Sequence, residues 1–214
     1  MQSLSLIQQL AISILPILFA ITVPAGAQAY MADHLGDRTA YMTGRRTFSP
    51  LAHIDPVGSI LLPLLGVALG GFIIGWPKSL QLNAGAMRKP RSALAKVAVV
   101  TPLANLAMAL LWAGLILASA HVPAYFAEPL ALMALVGVKI NVALMIFTLI
   151  PLPPLPGGVI LQALLPQRAA WQFSRIEPYS FWILLLLMFS GLLGKLLLPL
   201  VQVIFQLIVG VAAG

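Results

Sequence analysis

The chain has 214 residues, of which 61% are hydrophobic and only 8% charged, against about 25% charged residues in a soluble domain, and its mean hydropathy is +1.02. A water-facing surface cannot be built from that composition, and the length allows about four to six crossings of a bilayer at ~20 residues each. The formal charge of +7 sits in short loops between apolar runs, which marks topology and excludes a continuous nucleic-acid surface, while the lack of cysteine excludes disulfides, thiolate metal sites and a cysteine nucleophile.

The first apolar run extends from Leu4 to about Met31. Ala25, Ala27 and Ala29 near its end have the small-residue spacing of a signal-peptidase site, but no Lys or Arg precedes the run. We read it as an uncleaved span with its amino terminus outside. Asp33 to Pro56 follows as a polar and basic loop with Arg38, Arg45 and Arg46, and Val57 to Trp76 is apolar but broken by Pro63, Gly66, Gly70, Gly71 and Gly75. A full crossing there would put the basic loops 33–56 and 77–96 on opposite sides, against the cytoplasmic bias of Lys and Arg. A re-entrant or partly inserted hairpin lining a cleft is the expected alternative.

Val97 to Ala120 reads as a spanning helix, and Pro129 to Ile150 returns after a short outer loop. Lys139 and Asn141 interrupt the return, and Lys139 either marks a water-filled path, snorkels, or pairs with Glu128. Asn105 and Asn141 are amides within apolar helices and are expected to bond to a neighbouring helix or loop. Pro151 to Pro178 forms an inner loop with Arg168 and Arg175, and residues 179–214 hold two apolar helices broken near Gly191, Gly194, Lys195 and Pro199. The whole, 1–214, reads as a single integral membrane domain of all-α class, with every basic loop on the cytoplasmic side of a prokaryotic inner membrane.

Three stretches carry a resemblance. Residues 20–40 (AITVPAGAQAYMADHLGDRTA) lead through Gly44-Arg45 to SPLAHIDPVG at 49–58. Thr101-Pro-Leu-Ala-Asn105 follows, and then NVALMIFTLIPLPPLPGG at 141–158. Together they resemble the short prokaryotic branch of the site-2 protease family of intramembrane zinc metalloproteases, over residues 21–166. The resemblance implies a polytopic helical core, a zinc-binding HExxH on the first helix, a GPLSN-like helix start at Thr101, and an LDGG turn after the asparagine-containing helix.

In that frame the two histidines of HExxH fall on Pro24 and Gln28, its glutamate on Ala25, and the aspartate of LDGG on Pro156. Proline and alanine offer zinc nothing, and a lone amide oxygen does not hold it; Ala25 cannot take a proton from an attacking water. No catalytic residue of the family is therefore intact, and neither zinc nor another cofactor is expected. Asn105, Asn141, Pro151, Pro153, Pro154, Gly157 and Gly158 are the residues expected to shape the cleft, with the proline run forming a fixed turn beside the first helix.

His34, His53 and His121 with Asp33, Asp37 and Asp55 could be drawn as a relocated metal site, but their spacing matches no helical ligand pair, and Gly-Asp and Asp-Pro contexts favour turns. The expected role is a non-proteolytic scaffold, a pseudoprotease, embedded in lipid and binding transmembrane segments of other membrane proteins or another partner, with no nucleic acid. Two alternatives stay open: a zinc-dependent intramembrane metalloendopeptidase with ligands elsewhere, and a small transporter or channel-like subunit suggested by Lys139 and the Gly- and Pro-interrupted segments.

Overall fold

The computed structural model of the chain describes residues 5–53 and 80–213. The expected hairpin at 57–76 and Asp55 lie outside the described residues. Within them the chain is helical: α1 (Leu6–His34), α2 (Thr39–Met42), α3 (Pro90–Ser119), α4 (Ala124–Thr148), α5 (Pro156–Leu164), α6 (Gln167–Ser174), α7 (Glu177–Phe189) and α8 (Leu192–Ala213), with short 3-10 turns at Pro50–Ala52 and Ala84–Ala86.

Local chemistry sets the starts. Ser5 and Gln8 close a capping box, Gln8 N donating to Ser5 Oγ at 3.3 Å and Ser5 N to Gln8 Oε1 at 2.9 Å, which satisfies two amides at the start of α1. Proline opens α3 to α7. Pro90 and Pro156 lie in the first turns of α3 and α5, Pro178 in that of α7, and Pro123 and Pro166 occupy the caps of α4 and α6. There a missing amide costs nothing and the fixed φ suits helix entry.

Among the described residues, four helices are long and apolar enough to cross a membrane: Ile7–His34, Pro90–Ser119, Ala124–Thr148 and Leu192–Val211. This all-helical polytopic class agrees with the composition. Two expected boundaries move: α3 begins at Pro90, not Val97, and α4 at Ala124, not Pro129. Polar residues at a span's end do not stop a helix that protrudes into the headgroup region, so hydropathy alone underestimates both. Thr101 consequently lies inside α3, where the resemblance implied a helix start. The C-terminal break falls at Gly191, whose φ of +70° suits a residue without a Cβ.

The bundle is built on α1, α3 and α4, each packed on the other two, with α8 against α3 and α4, and α5 against α3. Buried positions are small: Ala29 and Ala32 on α1, Ala93, Ala98 and Ala109 on α3, and Ala134 and Gly137 on α4. Large side chains such as Leu103, Leu110, Leu111 and Leu117 point outward. Lipid solvates leucine as well as protein does, so helices in a bilayer associate by close backbone approach over small residues. Between α3 and α4 Trp112 lies close against Gly137, where a Cβ on Gly137 would stand 2.3 Å from Trp112 Cδ2. Val138, Val142, Met145, Ile146 and Val201 pack in the same cluster as Trp112.

Candidate functional site

Pro24, Ala25 and Gln28 lie on the interior of α1, which runs unbroken through Pro16 and Pro24. Proline inside a helix removes an amide donor, so Pro24 leaves the Ala20 carbonyl without its partner. One turn further on, Gln28 Nε2 donates to Thr101 Oγ1 on α3, a part-buried bond between residues 73 apart in sequence. Next along the same two helices, Ala32 packs with Ala93, Val97 and Met87. Gln28 is thus committed to a neighbouring helix. Pro156 opens α5 as its first helical residue.

The Pro-rich turn is held by contacts a side chain would break. A Cβ on Gly157 would fall 2.2 Å from the Leu149 carbonyl oxygen, and one on Gly158 2.3 Å from Pro153 N. Leu155 N donates to the Leu152 oxygen at 2.9 Å, and the Pro153–Pro154 peptide is cis. Pro153 is buried, while Pro151 and Pro154 are exposed. The helix that the turn launches packs on α3; Gly157 lies against Leu149 and Ile150 at the end of α4, and Gly158 against Leu152 and Pro153 of the turn.

Asn105 and Asn141 are both buried, at 1% and 0% exposure, but among the described residues neither makes the expected bond to a neighbouring helix or loop. Asn141 Nδ2 donates to Gly137 O in its own helix at 2.8 Å. The Oδ1 atoms of both residues, and Trp112 Nε1, have no hydrogen-bond partner among the described residues. A carboxamide can satisfy itself on the preceding turn of its own helix, so the sequence could not say which partner it takes. Lys139 is exposed on α4. Glu128 stands 11 residues away, about 16 Å along the axis, so it is not the partner of Lys139.

The polar loop after α1 folds onto the end of that helix and engages Asp33, Asp37 and one ring nitrogen of His53, while His53 Nδ1 has no hydrogen-bond partner among the described residues and His34 is exposed. Asp33 pairs with Arg46 at 2.5 Å, and Arg46 lies over the rings of Tyr30 and Tyr41 at 5.4 and 4.6 Å. Asp37 accepts from Thr39 N and Oγ1 and from Asn83 N at 2.9, 2.5 and 2.7 Å. Burial acts to raise the Asp37 carboxyl, but those bonds outweigh it and hold the group below its ordinary value. His53 is buried with Nε2 2.8 Å from Thr47 O, and His121 lies against Leu117 O at the far end of α3. Phe48 and Thr47 roof α1 at Gly26, where a Cβ would meet Phe48 Cδ1 at 2.6 Å. The sequence reading missed this roof; the glycine flanked by Ala25 and Ala27 was the available signal.

No group of three or more His, Cys, Asp or Glu side chains capable of holding a metal occurs among the described residues. Pro24, Ala25 and Pro156, onto which the resemblance maps residues of the family's HExxH and LDGG motifs, bring no donor, and Gln28 turns its amide to Thr101. These residues do not fit zinc, which takes imidazole, thiolate or carboxylate ligands.

No family model and no solved structure matches the chain. Among characterised sequences it is 32% identical over 193 residues to "Putative zinc metalloprotease YwhC" of Bacillus subtilis (strain 168), covering 88% of this chain and 85% of that one. The chain belongs to this site-2-protease-like metalloprotease family. A second family member, "Putative zinc metalloprotease Rip2" of Mycolicibacterium smegmatis (strain ATCC 700084 / mc(2)155), is 29% identical over 182 residues, 83% of this chain and 66% of the relative. Membership of the family accounts for a helical membrane core.

Proposed function

We propose that the protein is a non-proteolytic member of the site-2-protease-like family, a membrane scaffold that binds transmembrane segments of other proteins and does not cut them. The observation that carries this reading is the Gln28–Thr101 bond. At the level where the resemblance places a metal and its water, α1 and α3 are instead tied by a neutral amide and a hydroxyl. Pro24, Ala25 and Pro156 supply neither ligand nor base. The amino terminus lies outside and the basic loops face the cytoplasm, which follows from the positions of Lys and Arg.

The names of the two relatives favour a second reading, a zinc-dependent intramembrane metalloendopeptidase. That reading requires ligands other than those at the family's positions.

The test is zinc content of the detergent-purified chain together with cleavage of a model transmembrane peptide. The comparison is the variant Pro24→His, Ala25→Glu, Gln28→His, Pro156→Asp. The expected outcome is no stoichiometric zinc and no cleavage by the natural chain, with zinc retained by the variant. Stoichiometric zinc with cleavage by the natural chain would overturn the scaffold reading.

A further inference from the structure

A separate groove opens between the first turns of α3 and the last turn of α5. It has a volume of about 470 Å³ and is lined by Lys89, Pro90, Arg91, Ser92, Ala95 and the α5 residues Ala163 and Leu164. Two features define its chemistry. One wall carries cations: Lys89 and Arg91 are exposed, with Arg88 adjacent, and neither Lys89 nor Arg91 meets a carboxylate among the described residues. Arg91 Nη2 instead donates to the carbonyls of Gln162 and Leu165, which fixes the guanidinium at the groove's edge and leaves its remaining N–H groups for a ligand. The other wall is apolar: Ala95, Ala163 and Leu164, the last exposed at 78%.

The depth follows from helix length. The 30 residues of α3 span about 45 Å, against a hydrocarbon core of about 30 Å, so its first turns stand at the level of the lipid headgroups. A cationic wall beside an apolar wall at that depth matches one kind of molecule, a lipid whose phosphate meets Lys and Arg while its glycerol and upper acyl carbons lie on Ala and Leu.

We propose that this groove binds the headgroup of an anionic phospholipid, with Lys89 and Arg91 holding the phosphate and Ala95 and Leu164 contacting the chain. Charge complementarity selects an anionic lipid over a zwitterionic one, because a zwitterion brings its own cation to the phosphate.

The experiment is native mass spectrometry of the full chain in detergent, after incubation with phosphatidylglycerol or phosphatidylcholine at equal concentration. Phosphatidylglycerol is expected to be retained preferentially. The pair Lys89→Gly with Arg91→Gln should weaken that retention by about thirtyfold, whereas Arg38→Gln with Lys195→Gln, which removes the same charge elsewhere, should leave it unchanged. Lys89→Gly alone guards against damage to the fold, since Lys89 has φ +55°, a conformation glycine adopts freely, and it should still weaken retention severalfold. Equal retention of the two lipids, an equal loss in the control pair, or displacement of phosphatidylglycerol by inorganic phosphate would each overturn the proposal.

Discussion

Gln28 Nε2 of α1 donates to Thr101 Oγ1 of α3, and this bond joins two spanning helices beside Pro24 and Ala25. Interhelical hydrogen bonds in a bilayer contribute modestly, because the unfolded chain in lipid also finds partners. Gln28→Ala and Thr101→Val should each lower stability by about 1 kcal/mol, and the double variant should cost less than the sum. A double-mutant cycle by reversible unfolding in detergent measures this; strict additivity would mean the two side chains are not coupled.

The contact of Trp112 with Gly137 allows a sharper prediction. Gly137→Leu forces the Trp112 ring out of the α3–α4 interface and should destabilise the protein by about 1–3 kcal/mol. Trp112→Ala should cost about 3–5 kcal/mol by leaving a cavity among Ala109, Val138 and Val142. Combined, Gly137→Leu and Trp112→Ala should recover part of the loss, since the leucine enters the space the indole leaves. Thermal unfolding of the four proteins reads the difference.

Asp37 predicts an acid-sensitive loop. Its carboxyl is lowered in the folded state by its bonds to Thr39 and Asn83, against the effect of burial. A group depressed on folding stabilises fully above its unfolded value, near 3.8, and that contribution is lost as the pH falls from there through the lower folded value. Loop 35–53 should therefore loosen below about pH 4, seen as faster backbone amide exchange in Thr39 and Asn83. Asp37→Asn should show the loosened exchange already at neutral pH, with no further change on acidification.

Metal removal separates the two functional readings by stability alone. A chelator should leave the unfolding midpoint of the natural chain unchanged. The variant Pro24→His, Ala25→Glu, Gln28→His, Pro156→Asp should gain about 2.7 kcal/mol when zinc is present at a hundred times its dissociation constant. A chelator-dependent fall in the midpoint of the natural chain would point to a metal held by other ligands.

Much of this protein could be read along the chain. Apolar runs of spanning length, the placement of Lys and Arg, and the prolines that open helices specify a polytopic helical membrane protein, because a bilayer leaves the backbone no alternative to closing its own hydrogen bonds. That Pro24, Ala25 and Pro156 offer no donor is equally a matter of sequence, since a side chain without a lone pair cannot ligate zinc wherever it lies.

What the sequence left open were partners. Gln28 could have faced lipid, a cavity or another helix, and only the packing of α1 on α3 brings it to Thr101 across 73 residues. Asn141 was expected to reach a neighbouring helix or loop and instead donates to the Gly137 carbonyl one turn back in its own helix. The basic residues at 89 and 91 announced topology, while the groove they line exists only because α5 ends beside the start of α3. Periodicity and hydropathy report what each residue is; which atoms meet is settled by how small residues let the helices approach, and that is a property of all the helices together.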